Sequence, residues 1–296
     1  MNILSLFDGI SCGQVALNRA CIKYNNYFAS EIDKYAIKIT SKNYPNTIQL
    51  GSIEDWKQWN LPSIDLVMGG SPCQGFSSAG LGLNFEDPRS KLFFHFVDIL
   101  RYLKPKYFLL ENVKMKKEWS DVITSYMGVE PILINSSLVS AQNRNRLYWT
   151  NIPNINQPDD KNILLKNILI DGFCDRTKSF CIDASYYKGG SLDSYFRKSR
   201  RQIIFFEYPG AGFEINRRIY LQHDKSSTLL SRGESSSPKI YLDKNNYRHL
   251  TPIECERLQT LPDNYTEGIP KTYRYKSIGN GWTVDIIAHI LRNIKL

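Results

Sequence analysis

Short apolar runs that alternate with amphipathic stretches restrict the fold of this chain more than any other feature of its sequence. The apolar runs lie at 2–7, 27–30, 64–68, 107–110, 131–138 and 146–150. The stretches with apolar residues three and four positions apart lie at 34–42 and 91–103. These two patterns predict strands and helices, respectively. Strands that alternate with helices indicate an α/β fold with a parallel, doubly wound sheet.

A glycine-rich turn, FDGISCG at 7–13, follows the first predicted strand. Such a turn lets a ligand approach the backbone, and the helix that follows offers unpaired N–H groups. The turn matches neither GxGxxG nor GxxxxGK[ST], which disfavours a dinucleotide or ATP-type phosphate site. Glu31 ends the second strand in SEID, where a carboxylate can accept from ribose hydroxyls. Taken singly, the segment FDGISCG is equally compatible with an ordinary turn between a strand and a helix, and Glu31 with a glutamate on the protein surface.

Cys73 lies in GGSPCQGFS at 69–77, directly after the third predicted strand. A nucleophile, a metal ligand and a chance placement are the alternatives. None of the four histidines lies in a suggestive place, which argues against a cysteine hydrolase. The cysteines form no CxxC pair, so we expect free thiols and no metal site. They are Cys12, Cys21, Cys73, Cys174, Cys181 and Cys255.

Two further polar motifs, ENV at 111–113 and QNRNR at 142–146, adjoin predicted strands. The carboxylate of Glu111 is suited to proton transfer or to holding an amidine-like edge. Arg144 and Arg146 point the same way if their segment is extended, and both can bind a phosphate or a carbonyl oxygen. For each motif alone, a solvated charged side chain remains the alternative.

An irregular basic segment divides the chain into three parts. Residues 154–247 have weak periodicity, with one short helix expected at 161–169, whereas a capping box at 251–254 and a helix at 282–294 mark a regular return. We therefore expect a first domain at 1–153, an insert at 154–247 and a C-terminal return at 248–296. The net charge of +9 indicates a polyanionic partner, either nucleic acid or a membrane surface. With no spanning apolar run and no signal-peptide pattern, we expect a cytoplasmic protein.

Together, and in this order, the motifs resemble those of the DNA cytosine-5 methyltransferases. The segments FDGISCG, SEID, GGSPCQGFS, ENV and QNRNR resemble the first, second, fourth, sixth and eighth motifs of that family. The segments at 248–266 and 279–284 (GNGWTV) resemble the ninth and tenth. FDGI and Trp282 are similar to the animal de novo enzymes, whereas GNG and the LTP segment are similar to bacterial and phage enzymes.

The resemblance implies an S-adenosylmethionine-dependent methyltransferase with a Rossmann-like sheet and a smaller, irregular target-recognition domain at 154–247. It implies that the Cys73 thiolate attacks carbon 6 of a cytosine, while Glu111 holds N3 and the exocyclic amine. Arg146 would bind the carbonyl oxygen, with Arg144 in support. Carbon 5 then takes the methyl group of S-adenosylmethionine, and loss of the carbon 5 proton expels the thiolate. Attack on a ring held in this way does not require a Cys–His pair.

The resemblance also places the cofactor across the ends of the first strands, with Glu31 on the ribose and Ile32 on the adenine. The residues that it assigns to this site are Phe7, Asp8, Gly9, Ile10, Cys12, Glu31, Ile32, Ser52, Ile53, Pro72, Leu92, Asn280 and Trp282. One position departs from the family pattern, because Ser52 stands where an aspartate usually accepts from the adenine amine. A neutral hydroxyl binds more weakly by about 1 kcal/mol, unless Asp55 reaches in.

Double-stranded DNA is the partner that the resemblance implies, and the target base must leave the helix to reach Cys73. We expect the loop at 75–91 to close over that base. The residues expected to contact DNA are Gln74, Ser77, Arg197, Arg200 and Arg201. We expect a monomer, and a cognate restriction endonuclease is a further partner if the role is restriction-modification rather than phage self-protection.

Two alternatives to a DNA methyltransferase are open. A tRNA cytosine-5 methyltransferase shares the scaffold but has little recognition insert, whereas this chain devotes residues 154–247 to one. A non-catalytic DNA-binding relative would be expected to lose Cys73, Glu111 or the arginines, and this sequence retains them.

Overall fold

The computed structural model describes residues 1–71, 88–189, 195–196, 198–206 and 247–295. In this part of the chain the strands are β1 (Asn2–Leu6), β2 (Asn26–Ser30), β3 (Ile48–Gln49), β4 (Leu66–Gly69), β5 (Tyr107–Val113), β6 (Ile132–Asn135), β7 (Asn145–Thr150), β8 (Ile203–Phe205) and β9 (Tyr247–His249). The α-helices are α1 (Cys12–Arg19), α2 (Lys34–Asn43), α3 (Pro88–Leu103), α4 (Lys117–Met127), α5 (Pro252–Leu258), α6 (Lys271–Asn280) and α7 (Val284–Leu291). Short 3₁₀ helices lie at Ile53–Gln58, Ser136–Leu138, Leu165–Asn167 and Tyr186–Lys188.

Strands β1 to β7 form one sheet in the order β3-β2-β1-β4-β5-β7-β6. The pairs among β1 to β5 are parallel, whereas β7 pairs antiparallel with both β5 and β6. The prediction of a wholly parallel sheet is therefore wrong at this edge. Only residues 136–144 join β6 to β7, too few for the crossover that a parallel pair needs. The doubly wound α/β class itself is confirmed.

Helices cover both faces of this sheet. Ile3 packs into the layer that contains α1, α2 and α7, whereas its neighbour Leu4 packs into the layer that contains α3 and α4. Both side chains are fully buried, because successive side chains of a strand point to opposite faces of the sheet and helices cover both faces. Because β1, β2, β4 and β5 are parallel, their carboxyl ends meet at one edge, where ligands bind in open α/β sheets.

Several elements differ from their predicted bounds. Strand β5 continues to Val113 because β7 pairs with it that far, so Glu111 lies inside the strand rather than at its end. The helix predicted at 161–169 is only the 3₁₀ turn Leu165–Asn167, whose first N–H bonds to Thr177 across the segment. The predicted strand at 131–138 stops at Asn135, the last helix begins at Val284, and α4 and α6 were not predicted.

A third apolar cluster joins the described part of the insert to the C-terminal return. It contains Leu165, Ile168, Ile182, Tyr186 and Ile204 from the insert and Leu250, Leu258, Tyr275 and Ile278 from the return. Strands β8 and β9 also pair across the expected boundary. The predicted capping box is confirmed: Thr251 Oγ1 accepts from Glu254 N, and the Glu254 carboxylate accepts from Thr251 N. The division of the chain into three parts stays a prediction.

Candidate active site

A cavity of about 610 Å³ lies at the carboxyl edge of the sheet. This volume is typical of sites for small ligands and cofactors. Its lining comes from stretches that are far apart in the chain: the turns after β1, β2 and β4, the strands β5 and β7, and α6 with the residues after it. The predicted site residues that line it are Phe7, Asp8, Gly9, Cys12, Glu31, Ile32, Ser52, Ile53, Leu92, Glu111, Arg144, Arg146, Asn280 and Trp282.

The carboxylate of Glu31 is held in place by backbone N–H groups. Its Oε2 accepts from Gly9 N at 2.8 Å, and its Oε1 accepts from Ile32 N at 2.7 Å and from Asp33 N at 2.8 Å. These bonds tie the turn after β1 to the turn after β2. The Ile32 side chain is 76% exposed beside them. A fixed carboxylate next to an exposed apolar side chain can receive a ribose and the flat base attached to it.

Asp8 presents a buried oxygen with no partner. Tyr27 donates to its Oδ1 at 2.7 Å, but among the described residues nothing bonds to its buried Oδ2. Burial raises the pKa of Asp8 to about 6. A buried acceptor left unpaired is costly, so this oxygen marks a place in the cavity wall for a cationic or N–H-bearing ligand.

Ser52 has a structural role beside the cavity. Its hydroxyl caps the 3₁₀ helix Ile53–Gln58 by accepting from Glu54 N at 3.2 Å. Asp55, the suggested substitute for the missing aspartate, is exposed and is not among the lining residues. Glu54 lines the cavity instead, and the sequence pattern held no signal for it.

Gly70 lies in the cavity wall between Glu111 and Trp282. A Cβ at this position would lie 3.0 Å from Glu111 Oε2 and 3.0 Å from Trp282 Nε1. A side chain at this position would therefore press on the carboxylate and the indole, which both approach the Gly70 backbone closely. Cys12 lies close to the backbone of Trp282, and burial raises the pKa of its thiol to about 12, so this thiol stays neutral and serves packing.

Glu111 and Arg146 form a buried ion pair. Arg146 Nε lies 2.9 Å from Glu111 Oε1, and the two side chains are 14% and 11% exposed. Burial lowers the pKa of Arg146, but the Glu111 carboxylate, together with Cys181 and Tyr148, raises it overall. The two groups are therefore aligned in the cavity wall, where a ligand can offer a donor to one and an acceptor to the other.

Asn112 ties strand β5 to the end of the turn after β4. Its Nδ2 donates to Ser71 Oγ at 3.2 Å and to Ser71 O at 3.4 Å. Ser71 stands two residues before Cys73 in the sequence, so Asn112 anchors the backbone just ahead of this cysteine. Sequence reasoning singled out the ENV motif for Glu111 alone and did not identify this contact.

Arg144 acts as a clamp within the fold. Its fully buried guanidinium donates to the carbonyls of Ile182 at 2.9 Å, Gly279 at 3.3 Å and Gly281 at 2.9 Å. It thereby joins β7, the insert and the end of α6. Burial, with a further contribution from Arg146, lowers the pKa of Arg144. A guanidinium with three carbonyl partners supports the cavity wall more directly than it serves a substrate.

Gln142, the first residue of QNRNR, belongs to a buried polar network behind the site. It donates to Leu258 O at 2.6 Å and to Gln259 Oε1 at 3.0 Å. Gln259 in turn donates to the carbonyls of Ile278 and Gly281, both at 2.9 Å. The motif at 142–146 and the segment at 248–266 therefore pack as one unit that supports Trp282.

Some predicted site residues are not in the cavity. Ile10 is buried in the core, and its carbonyl accepts from Tyr265 Oη at 2.7 Å, so the side chain packs inside the fold instead of lining the cavity. Arg200 is exposed, Arg201 donates to Gly189 O, and neither lines the cavity. Five predicted residues and most of the loop at 75–91 lie outside the described residues: Pro72, Cys73, Gln74, Ser77 and Arg197.

Within the described ranges, no group of three or more His, Cys, Asp or Glu side chains is arranged to hold a metal ion. No helix there is long and apolar enough to cross a membrane. The cysteines that the structure describes, Cys12, Cys21, Cys174, Cys181 and Cys255, are free thiols.

The chain is similar to known proteins along its whole length. The family of C-5 cytosine-specific DNA methylases matches residues 1–168 and 135–296. The type II methyltransferase M.NgoBI of Neisseria gonorrhoeae is 31% identical over 96% of this chain and 90% of its own length. The orphan methyltransferase M.Rho11sI of Bacillus phage rho11s is 32% identical over 81% of this chain, which spans 49% of that enzyme.

A solved structure shares the fold. The methyltransferase EhMeth of Entamoeba histolytica superimposes with a TM-score of 0.71 at 20% identity, covering 99% of this chain and 97% of its own.

Proposed function

This chain belongs to the family of C-5 cytosine-specific DNA methylases, and we propose that it methylates carbon 5 of a flipped cytosine in a short, specific sequence of double-stranded DNA. The observation that carries this proposal is the buried pair of Glu111 and Arg146 in a cavity of cofactor size. A cytosine presents N3 and an exocyclic amine on one edge and a carbonyl oxygen beside them, which matches a carboxylate next to a guanidinium.

The residues of the cavity fit S-adenosylmethionine as the methyl donor. Glu31 offers a carboxylate fixed by three N–H groups to the ribose hydroxyls, and Ile32 offers an exposed apolar surface to the adenine. The unpartnered Oδ2 of Asp8 suits the positive charge of this ligand. When bound, S-adenosylmethionine supplies the methyl group, and Trp282 and Asn280 close its site from the C-terminal return.

Cys73 is the proposed nucleophile. Its sulfur forms a bond to carbon 6 of cytosine, which shifts electron density to carbon 5. Glu111 stabilises the change at N3 and the amine, and Arg146 stabilises the carbonyl oxygen. With S-adenosylmethionine bound, its methyl group would pass to carbon 5 and leave S-adenosylhomocysteine; loss of the carbon 5 proton to solvent would then break the bond between carbon 6 and sulfur and release the Cys73 thiolate. Arg144 is proposed to support this arrangement through the carbonyls that it binds.

The basic insert is the proposed DNA-recognition region. Contacts to phosphates fix the register of a protein on DNA, and contacts to base edges specify sequence. Gln74, Ser77, Arg197, Arg200 and Arg201 are proposed for these contacts. A restriction-modification setting, with a cognate endonuclease as partner, agrees with the type II relative, whereas the phage relative is an orphan enzyme.

Bisulfite sequencing tests the proposal. DNA is taken from cells without cytosine methylation of their own that express either the wild-type protein or Cys73→Ala. Protected cytosines in one short context, absent in the variant, are expected. A folded wild-type protein that binds S-adenosylmethionine and protects no DNA cytosine would overturn the DNA assignment, and methyl transfer to tRNA instead would establish the alternative substrate.

A further inference from the structure

Lys276 lines the cavity from helix α6, and no motif in the sequence drew attention to it. Its ammonium lies 2.9 Å from Asp33 Oδ2. Asp33 is in turn bonded to Glu31, the residue proposed to hold the ribose. We propose that Lys276 is a positioning residue for Glu31 and acts through Asp33. This inference rests on the proposed function, because it concerns how the S-adenosylmethionine site is held together.

Asp33 connects the two ends of this chain of contacts. Its Oδ1 caps helix α2 by accepting from Tyr35 N at 2.9 Å and Ala36 N at 3.4 Å, while its Oδ2 accepts from Lys276. Its backbone N–H donates to Glu31 Oε1 at 2.8 Å. Movement of the turn at 31–33 would therefore move the Glu31 carboxylate with it.

A second contact between the same two helices acts in parallel. The rings of Tyr35 on α2 and Tyr273 on α6 stack with centroids 3.7 Å apart and planes 27° apart. Tyr273 lies three residues before Lys276, so the ion pair and the ring stack lie on neighbouring positions of α6. Helix α6 therefore holds the start of α2 at two places beside the cavity.

The charges around Lys276 favour this role. The hydrogen bond with Asp33 raises the pKa of Lys276, and Glu31 contributes in the same direction. The hydrogen bonds from Lys276, Tyr35 N and Ala36 N outweigh burial and lower the pKa of Asp33. The pair is thus charged at neutral pH. Because the side chains are 43% and 29% exposed, the expected effect on ligand binding is modest, about two- to fivefold.

The test compares Lys276→Met with wild type and with the matched control Lys117→Met. Lys117 forms an exposed ion pair with Asp121 on α4 and does not line the cavity. Calorimetry with S-adenosylmethionine, without DNA, is expected to give a Kd raised about two- to fivefold for Lys276→Met and unchanged for the control. Lys276→Arg is expected to restore the wild-type Kd.

Kinetics separate positioning from general damage. For Lys276→Met the KM for S-adenosylmethionine is expected to rise while kcat at saturation stays within about twofold and the KM for DNA does not move. In a double-mutant cycle, adding Asp33→Asn to Lys276→Met is expected to raise the Kd for S-adenosylmethionine little further, since both variants break the same contact between Lys276 and Asp33.

Three results would overturn the inference. Equal Kd values for wild type and Lys276→Met would remove the positioning role and leave the proposed function intact, as would additive effects in the cycle. A folded wild-type protein that does not bind S-adenosylmethionine would overturn the proposed function, and this inference with it.

Discussion

Arg146 Nε lies 2.9 Å from Glu111 Oε1, although the two residues belong to different strands. The register of β5 and β7 places Tyr148 opposite Glu111 and Val113 opposite Arg146, so the ion pair is diagonal on one face of the sheet. At this end of the two strands, Glu111, Val113 and Arg146 line the cavity. The antiparallel pairing of β7 with β5 therefore brings the Arg146 guanidinium to the Glu111 carboxylate.

Replacing Glu111 with Gln is expected to lower kcat by about a hundredfold, because a neutral amide cannot exchange a proton at N3 or hold the amidine-like edge of cytosine as a carboxyl group does. It also leaves Arg146 buried without its carboxylate, which should destabilise the fold by about 3 kcal/mol. Single-turnover methylation and urea unfolding measure the two effects. Asp121→Asn, which removes an exposed carboxylate, is the control, and wild-type turnover by Glu111→Gln would exclude a catalytic role for Glu111.

S-adenosylmethionine binding is expected to weaken as the pH falls below about 6, the pKa of Asp8. The charged carboxylate attracts a cationic ligand, and protonation removes that attraction. Calorimetry across the range from about pH 5 to about pH 8 tests this. Asp8→Asn should bind more weakly than wild type at high pH and show a flat profile. The same pH dependence in the variant would assign the effect to another group.

The stability of the ligand-free protein should change with pH in the opposite sense. The pKa of Asp8 is higher in the folded chain than in the unfolded chain, where it is about 4. The stabilisation that Asp8 contributes to the fold is therefore complete below about pH 4 and is lost as the pH rises through about 6. Asp8→Asn is expected to raise the melting temperature at pH 8 more than at pH 5. A uniform change at both pH values would contradict this assignment.

Replacing Arg144 with Met is expected to destabilise the protein by about 3 kcal/mol, because three buried carbonyls lose their donor. Urea unfolding measures the loss, with the exposed Arg101→Met as the control. Since two of those carbonyls flank Asn280 and precede Trp282, cofactor affinity should fall as well. A stable variant with normal affinity would show that the clamp is dispensable.

Ser52→Asp is expected to tighten S-adenosylmethionine binding about fivefold. Aspartate caps a helix as well as serine does, and its charge adds about 1 kcal/mol to a hydrogen bond with the adenine amine. Ser52→Ala separates the two roles, since it should lose about 1 kcal/mol of stability from the missing cap. Unchanged affinity for Ser52→Asp would place the adenine amine away from residue 52.

Local sequence determined the elements that begin the site. The apolar run of β1 and the turn after it placed Asp8 and Gly9 at the sheet edge, and the same pattern placed Glu31 after β2. Motif order predicted most of the residues that line the cavity. The strand and turn predictions succeed because strand periodicity and the position of a turn depend on neighbouring residues, whereas the cavity residues came from the family resemblance and their roles stay predictions.

Tertiary structure decided which of these residues touch each other. The contacts of Arg144 with Gly281 and of Asp33 with Lys276 join residues far apart in the chain. Likewise, the antiparallel direction of β7 decided that Glu111 meets Arg146, and packing buried Ile10 instead of leaving it in the cavity wall. Periodicity reports only which face of an element is apolar, whereas such contacts depend on how elements pack, and that is set by the whole core at once.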